Sequence, residues 1–219
     1  MGVKIIIIGL GGIGGALANL VWKGFNHPET LLVLIDGDSY EERNAGRQYF
    51  TQIGYNKARS WSDRIDAEGA KCETTPIDTF FDPNNINNLQ ISNDDIVLLC
   101  VDNHRARKFV NDICKKLNRI TLISGGNEYW DGNVQFFVNV GGELVAGDYL
   151  DTYHPEINEA EAPKEDGCDT GDGQLLMVNS LVASVMFCLL SNITRDLIPT
   201  YSEVYLDAKE MKVEPVTRR

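Results

Sequence analysis

The stretch VKIIIIGLGGIGGALANLVWKGF, residues 3–25, sets the architecture of the chain. Its first six residues are apolar apart from one lysine, which is typical of a strand buried in a parallel sheet. A glycine cluster follows, and beyond it apolar residues recur at spacings of three and four, which indicates a helix. The glycines match the pattern G-x-G-x-x-G in the run Gly9-Leu10-Gly11-Gly12-Ile13-Gly14. Backbone N–H groups at such a turn, together with the helix dipole, favour phosphate oxygens.

A second apolar strand, residues 31–35, ends at Asp36. A carboxylate at this place in a βαβ unit accepts hydrogen bonds from ribose hydroxyls. The competing interpretation is that the glycines only allow a strand and a helix to pack closely. Because the strand, the helix and Asp36 occur together, we favour a nucleotide site.

The rest of the chain predicts an α/β fold, with a Rossmann-like, doubly wound and mostly parallel sheet that antiparallel strands extend. Strands that alternate with helices indicate the parallel part, and alternation around a Gly-Gly turn indicates a hairpin. The predicted elements are strands at 72–77, 96–101 and 119–126, helices at 56–68 and 174–190, and hairpins at 133–147 and 201–216.

Length and composition limit the classes of protein. A chain of 219 residues with 43% hydrophobic residues predicts a single domain over residues 1–219. The net charge of -12 argues against a nucleic-acid partner, and the apolar segments are too short or too interrupted by polar residues to predict a membrane span. Five scattered cysteines favour a reducing cytoplasm over a disulfide framework. The carboxylate-rich residues 156–173 predict a mobile acidic loop inside the domain.

A dense polar block follows Asp36 and suggests which nucleotide is bound. Arg47 offers a planar fork for phosphate, while Asn44 and Gln48 offer amide donors. Lys57, at a predicted helix start, adds a point charge. A nicotinamide or flavin oxidoreductase would share the glycine turn and Asp36, but it has no need of these four side chains. The block is typical of a site that neutralises a triphosphate.

Asp102 follows the strand at 96–101, on the edge of the sheet where ligands of open α/β folds bind. A carboxylate there could hold Mg²⁺ against phosphates. The alternative is that Asp102 caps the following helix, with Arg107 on that helix exposed to solvent. The sequence leaves both interpretations open.

Several of these motifs together resemble the ThiF/MoeB-like superfamily, which includes the ubiquitin-activating enzymes. The resemblance rests on GLGGIG, on LIDGDSYEERNAGRQ as the family's D-x-D-x-V-x-x-x-N-x-x-R-Q, on Lys57, on CVDNHRAR as its D-N-x-x-x-R, and on SGGNEYWDGNVQFF as its S-G-x-x-x-x-x-G-x-V. The motifs occur in the family's order and spacing over most of the chain.

The resemblance implies an adenylyltransferase that binds Mg-ATP and adenylates the C-terminal carboxylate of a small ubiquitin-like or sulfur-carrier protein. It also implies a homodimer, because the family builds its sites across a two-fold interface. By matching position, Asp102 would hold Mg²⁺ and act with Arg47 and Lys57 in catalysis. The residues implied to bind the nucleotide are Gly9, Gly11, Gly12, Gly14, Asp36, Asp38, Asn44, Arg47, Gln48, Lys57 and Asn103.

The sequence departs from the family pattern in two places. Family members usually carry an N-terminal helical segment whose arginine reaches into the partner's site, whereas this sequence starts at the strand; Arg43 is our candidate to replace that arginine. The two C-x-x-C pairs that bind zinc in many relatives are also missing, so we expect no zinc. The missing arginine raises the alternative of a catalytically silent subunit that pairs with an active homologue.

Cys168 lies near the place where some family members keep a cysteine for sulfur transfer or thioester formation. A loop ahead of a helix would expose its thiol and lower its pKa, but the neighbouring Asp166, Asp169 and Asp172 would raise the pKa. Cys168 therefore remains a candidate catalytic residue beside the interpretation that it is inert. Cys100 and Cys188 lie in apolar runs, and we expect both in the core.

Overall fold

The structure is a computed structural model that describes residues 2–48, 52–81, 91–158 and 175–218. Its strands are β1 (Val3–Ile8), β2 (Thr30–Ile35), β3 (Glu73–Ile77), β4 (Ile96–Leu99), β5 (Ile120–Asn127), β6 (Asp131–Val140), β7 (Glu143–Gly147), β8 (Glu203–Asp207) and β9 (Lys212–Val216). Its helices are α1 (Gly12–Gly24), α2 (Lys57–Ala67), α3 (His104–Cys114), α4 (Leu150–Tyr153) and α5 (Leu176–Ile193), with 3-10 turns at Glu42–Asn44 and Pro155–Asn158.

The nine strands of the described residues form one sheet, in the order β3-β2-β1-β4-β5-β6-β8-β9, with β7 paired to β6 as well. The five strands from β3 to β5 are mutually parallel, and the pairs of β6 with β5, β7 and β8, and of β8 with β9, are antiparallel. This arrangement confirms the predicted fold class, including both antiparallel hairpins.

Strand β1 lies at the centre of the parallel part and is buried on both faces. Ile5 and Ile7 belong to a core that includes side chains of α1, α2 and α5. Ile6 and Ile8 belong to a second core, which includes side chains of α3 and α4. Helices therefore cover both faces of the sheet, which explains why the β1 sequence is continuously apolar.

Helix α5 is the long apolar helix predicted at 174–190. Among the described residues it is the one helix whose length and composition would allow a membrane span, with a mean hydropathy of 1.9. The expectation that polar interruptions would exclude such a span is therefore wrong for this helix. However, 44% of it is buried inside the protein, and its buried side chains belong to the same core as α1. We interpret α5 as a core helix of the domain.

The structure corrects some expectations about single residues. Cys188 is exposed, so its assignment to the core is wrong, whereas Cys100 packs against the core as expected. An apolar run does not by itself bury each member, because a helix turns every fourth side chain back to the same face. Residues 156–158 of the predicted loop form part of a 3-10 turn with Ile157 buried, and 159–174 lie outside the described residues.

Candidate functional site

Three parallel strands end in one row at the carboxyl edge of the sheet. Ile8 at the end of β1 pairs with Ile35 of β2 on one side and with Leu99 of β4 on the other. From β1 the chain passes through α1 to β2 on one side, and after β3 it returns to β4 on the other side of β1. The strand order therefore reverses here, at a topological switch point of the kind where open α/β sheets bind ligands. The segments that follow these three strands contain most of the predicted site residues.

Gly9 is the first residue past β1, and the fold requires a glycine there. Its φ is +86°, in the left-handed region that side chains rarely adopt. A Cβ on Gly9 would also lie 2.7 Å from the carbonyl oxygen of Cys100, which follows β4. The glycine turn can therefore cross directly over the end of β4. The next helix, α1, starts at Gly12 with no side-chain cap at its N-terminus.

Asp36 links the glycine turn to the segment after β2. Its Oδ2 accepts a hydrogen bond of 2.6 Å from the backbone N–H of Leu10, and its Oδ1 accepts one of 2.8 Å from the N–H of Asp38. Burial raises the pKa of Asp36, although the Lys57 charge and the two backbone N–H groups act to lower it. Each carboxylate oxygen keeps a further lone pair with which it can accept a ribose hydroxyl.

Asn56 brings Lys57 to the same edge. Its amide nitrogen donates to the backbone carbonyls of Asp36 at 2.9 Å and Asp38 at 3.0 Å, while its Oδ1 caps α2 by accepting from Arg59 N at 3.1 Å. Lys57, the first residue of α2, is thereby held against the end of β2. Its buried Nζ lies 3.1 Å from Oδ2 of Asp38. The sequence predicted this helix start correctly.

The polar block after β2 forms a 3-10 turn and continues toward the glycine turn. Asn44 is buried, and its side-chain oxygen accepts a hydrogen bond of 2.8 Å from the N–H of Glu41. Backbone N–H groups of Arg47 and Gln48 both donate to the Asn44 carbonyl. The buried Arg47 Nε and Gln48 Oε1 have no hydrogen-bond partner among the described residues. Gln48 Nε2 would lie 3.9 Å from a Cβ on Gly11, so this side chain reaches the glycine turn.

The structure shows that the alternative in which Asp102 caps the following helix is wrong. Asn103, not Asp102, caps α3: its Oδ1 accepts from the N–H of Ala106 at 2.8 Å. Asp102 is exposed and makes no hydrogen bond or ion pair with other residues of the described part. Its carboxylate is therefore available to a ligand. Asn103 serves first as a helix cap, which is a role that the sequence did not assign to it.

Arg107 is not exposed to solvent, contrary to the same alternative. Its guanidinium donates to the Ser124 hydroxyl at 2.6 Å and to the backbone carbonyls of Val101 at 2.7 Å and Gly125 at 2.9 Å. Burial lowers the pKa of Arg107, while the neighbouring Cys100 and Asp102 act to raise it. The arginine ties the loop that holds Asp102 to the end of β5, so its role in the structure is to position that loop.

The remaining predicted residues stand apart from this edge or outside the described chain. Arg43 is exposed on the 3-10 turn, and its Nε lies 2.6 Å from Oε2 of Glu41. Cys168 lies outside the described residues. Burial raises the pKa of the Cys100 and Cys114 thiols to about 12, so neither is suited to act as a nucleophile. No cluster of three metal-binding side chains occurs among the described residues.

Three further residues at this edge were not predicted from the sequence. Asn56 could have been found, because an asparagine directly before a predicted helix is a typical cap. Phe80 is 62% exposed, and a Cβ on Gly37 would lie 2.7 Å from its ring, so the ring lies against Gly37, the residue after Asp36. Asn179 is fully buried in α5, and its Nδ2 donates to the Arg47 carbonyl at 3.2 Å. The only signal for Asn179 was a polar residue inside an apolar helix.

The arrangement suits the binding of an extended anion. One lysine, one arginine and the free N–H groups of an uncapped helix start face a common edge, beside carboxylates that can hold a sugar or a hydrated cation. Lys57 is almost completely buried, so its charge is screened less than an exposed one would be. Such a site can hold a nucleotide and lower the repulsion between its phosphates and an incoming anion.

Comparison with known proteins agrees with this geometry. The model of the ThiF family matches residues 2–215. An adenylyltransferase and sulfurtransferase MOCS3 of Caenorhabditis briggsae is 30% identical over 136 residues, which are 61% of this chain and 33% of that protein. A ubiquitin-like modifier-activating enzyme 5 of Caenorhabditis elegans is 29% identical over 146 residues, 60% of this chain and 34% of that protein. The matches therefore span about a third of these relatives.

Solved structures share the fold. E. coli MccB in a crystal with ATP superposes with a TM-score of 0.72 at 17% identity, over 98% of this chain and 63% of that one. A crystal structure of PaaA gives a TM-score of 0.71 at 17% identity, over 97% of this chain and 71% of that one. At these identities the likeness concerns the fold, and it extends to the antiparallel strands at the end of the sheet.

Proposed function

Because this chain belongs to the ThiF family, we propose that it is an adenylyltransferase that uses Mg-ATP to activate the C-terminal carboxylate of a small carrier protein. A carboxylate oxygen attacks the α-phosphorus of ATP, the bond from that phosphorus to the β-phosphate oxygen breaks, and pyrophosphate leaves. The product is a mixed anhydride between the carrier's last residue and AMP.

The observation that supports this proposal most strongly is the set of cationic and N–H donors beside Asp36. Lys57 is buried there, Gln48 reaches the glycine turn, and Arg47 Nε and Gln48 Oε1 are buried with no hydrogen-bond partner among the described residues. We assign ribose to Asp36, with Asp38 beside it. We assign the triphosphate to the glycine turn, Asn44, Arg47, Gln48 and Lys57. Phe80 offers an aromatic face next to Asp36 against which the adenine could stack.

The chain's residues lower the main electrostatic barrier of this reaction. A carboxylate and a triphosphate are both anionic, so they repel each other until nearby cations and N–H dipoles offset the charge. Lys57 and Arg47 provide two such cations, and the start of α1 provides the dipoles. No side chain has to act as a general base, because a terminal carboxylate is already ionised at neutral pH. Orientation of the two reactants supplies much of the remaining acceleration.

The donor set is compatible with Mg²⁺ at Asp102. Magnesium keeps several waters and is usually held by one or two carboxylates together with substrate phosphates, so it needs no cage of protein ligands. Asp102 is an exposed carboxylate at the carboxyl edge, and Arg107 fixes its loop from behind. When bound, the ion would neutralise phosphate charge. Asn103 keeps the loop in place by capping α3.

The relatives indicate the class of substrate that we propose. One is named an adenylyltransferase and sulfurtransferase and another a ubiquitin-like modifier-activating enzyme. One solved structure of E. coli MccB contains AMPCPP and MccA. We therefore propose a small ubiquitin-like or sulfur-carrier protein as the substrate. The rival oxidoreductase has no use for the buried lysine and the phosphate donors beside Asp36.

Cys168 is our candidate for a subsequent transfer. Its thiolate would attack the carbonyl carbon of the mixed anhydride, form a thioester and release AMP. The test is to follow every carrier product after Cys168→Ala. If adenylate still forms but the product downstream of it is lost, the transfer role is supported; if all products remain, Cys168 has no such role.

The outer face of α5 supports a homodimer. From Leu176 to Ile193 the helix contains no charged residue, although Met177, Ser184 and Cys188 are exposed. In a chain with a net charge of -12, an uncharged face is a surface where two copies can approach without repulsion. Exposed apolar surface of this kind commonly marks an interface. We propose that two copies pair through this face around a two-fold axis.

A direct test is to look for the adenylate itself. The protein is incubated with Mg-ATP and one small protein that ends in Gly, in a separate reaction for each of several such carriers. The mass of each carrier is then measured by mass spectrometry. We expect one carrier to gain an AMP group that hydroxylamine removes. If no carrier gains mass while the protein still binds ATP, the catalytically silent subunit becomes the better interpretation. Tight binding of NAD with no binding of ATP would contradict both.

A further inference from the structure

We propose that Asn179 is a positioning residue that holds Arg47 and Gln48 over the glycine turn, and so links α5 to the binding of the β- and γ-phosphates. This inference rests on the proposed function, because the phosphates are those of ATP. Neither the sequence motifs nor the residues that follow the strands point to α5 as part of the site. One buried amide, that of Asn179, makes the contacts that connect α5 to the site.

Asn179 is a polar residue at a position where burial is energetically unfavourable. It lies in the first turn of α5, a mostly apolar helix, and is 0% exposed. Burying an amide is unfavourable unless hydrogen bonds replace those made to water. Its Nδ2 donates to the Arg47 carbonyl at 3.2 Å, whereas its Oδ1 has no partner among the described residues. Packing alone would be served better by leucine, so the amide has another role.

The glycine turn is shaped around this amide. A Cβ on Gly12 would lie 2.1 Å from Asn179 Nδ2 and 2.5 Å from its Cγ, which is far closer than real atoms approach. Gly12 is not one of the three glycines of the G-x-G-x-x-G pattern. Its φ is not in the left-handed region, so its backbone does not need a glycine. Gly12 is therefore a glycine because Asn179 occupies the space of its side chain.

The contact fixes the far end of the phosphate-binding segment. The N–H groups of Arg47 and Gln48 are used within the turn, since both donate to the Asn44 carbonyl. The Arg47 carbonyl instead points away from the turn to Asn179. Holding this carbonyl sets the direction in which the two side chains leave the backbone. Their polar atoms Arg47 Nε and Gln48 Oε1 are buried with no hydrogen-bond partner in the described part of the chain, as expected of groups placed ahead of a ligand.

The inference predicts a selective loss of affinity. Without the Asn179 amide, Arg47 and Gln48 lose their fixed position, so ATP should bind more weakly, whereas AMP lacks the β- and γ-phosphates and should be little affected. A general structural defect would weaken both nucleotides alike. One lost orienting hydrogen bond corresponds to about a tenfold change in the dissociation constant for ATP.

The experiment measures the dissociation constants of ATP and AMP by calorimetry on the full chain. Asn179→Ala is expected to raise the ATP value about tenfold more than the AMP value. The matched control is Asn139→Ala. Asn139 is also buried, at 1% exposed, and donates through Nδ2 to the Leu117 carbonyl at 3.3 Å. Its Oδ1 likewise has no partner among the described residues, but it lies on β6. The control should leave the ratio of the two constants unchanged.

A second pair of variants covers the case in which Asn179→Ala fails to fold. Gly12→Ala inserts a methyl group where the Asn179 amide lies, so it should displace the amide and give the same loss for ATP over AMP. Direct contact of Gly12 with the α-phosphate would affect both nucleotides equally. In the double variant Gly12→Ala, Asn179→Ala the clash is relieved, and the loss should not exceed that of Asn179→Ala alone.

Equal losses for ATP and AMP, no loss in either single variant, or additive losses in the double variant would each overturn the inference while leaving the proposed function intact. If the unaltered protein binds neither nucleotide, the proposed function fails and the inference fails with it. The binding of the unaltered protein therefore separates the two failures.

Discussion

Lys57 Nζ lies 3.1 Å from Oδ2 of Asp38, yet the lysine side chain is 8% exposed and the aspartate side chain is 54% exposed. The pair is therefore asymmetric: the cation is held inside by the start of α2, and its anionic partner faces water. A phosphate oxygen can replace the aspartate at the cation while the aspartate turns to solvent. The relationship suits a cation that is kept in place for an incoming anion.

Replacing Lys57 by methionine keeps most of the side-chain volume and removes the charge. We expect ATP affinity to fall by about 10- to 100-fold, because a hydrogen bond to a charged group contributes roughly 1.5–3 kcal/mol. Calorimetry with ATP measures this. Lys23→Met is the matched control, since Lys23 is 53% exposed and pairs with Glu68 on the surface. An unchanged ATP affinity in Lys57→Met would remove the lysine from the site.

Arg107→Met should destabilise the protein, because it leaves the Ser124 hydroxyl and the carbonyls of Val101 and Gly125 without their donor. We expect a loss of about 2–4 kcal/mol in the free energy of unfolding. Urea denaturation measures this loss. Arg119→Met removes an exposed arginine that pairs with Asp94, and it should cost less than about 1 kcal/mol. An equal loss of unfolding free energy in the two variants would show that the internal hydrogen bonds of Arg107 do not stabilise the fold.

As the pH is lowered, adenosine affinity should begin to fall at a higher pH than the titration of an ordinary aspartate would cause. Burial raises the pKa of Asp36 above the usual 3.8. Ribose recognition needs the ionised carboxylate, so affinity should be full above the raised pKa and fall as the pH decreases through it. Adenosine is the suitable probe because it has no phosphate that titrates. In Asp36→Asn the affinity should be low and should lack this acidic decrease; a decrease that persists would assign the titration to another group.

Cys188 provides a test of the proposed dimer face. It is the exposed cysteine of α5 among the described residues, so two copies that pair through this face should form a disulfide across the axis under mild oxidation. Non-reducing electrophoresis and the mass in solution are the measurements. Ser184→Arg should place a charge on the face and reduce the dimer fraction, whereas Lys212→Arg on β9 should not. A stable dimer in Ser184→Arg would move the interface elsewhere.

Much of the fold could be predicted because periodicity and glycine spacing are local signals. The continuous apolar run of β1, the turn at Gly9 and the alternation in the hairpins each identify an element within about ten residues. The start of α2 at Lys57 was predicted for the same reason. These local signals are enough to place the carboxyl edge of the sheet, and with it Asp36, Lys57 and Asp102.

The contacts that complete the site depend on residues far apart in the chain. Asn179 meets Arg47 across 132 positions, and Arg107 meets Ser124 on a neighbouring strand. A sequence read locally shows an asparagine in an apolar helix and an arginine on a polar one, and it gives no sign of either contact. The same limit explains why Cys188 was wrongly predicted to lie in the core, since an apolar run does not tell which face of α5 is buried.

The central claim is that the donors beside Asp36, together with Mg²⁺ held by Asp102, bind a triphosphate so that a carrier's carboxylate can attack it. The most direct measurement is the exchange of labelled pyrophosphate into ATP, in the presence of small proteins that end in Gly, with the unaltered protein and with Asp102→Ala. We predict carrier-dependent exchange by the unaltered protein and a loss of at least about 100-fold in the variant, as typical for removal of electrostatic stabilisation. Exchange that is absent with every carrier, or equally fast in Asp102→Ala, would contradict the account.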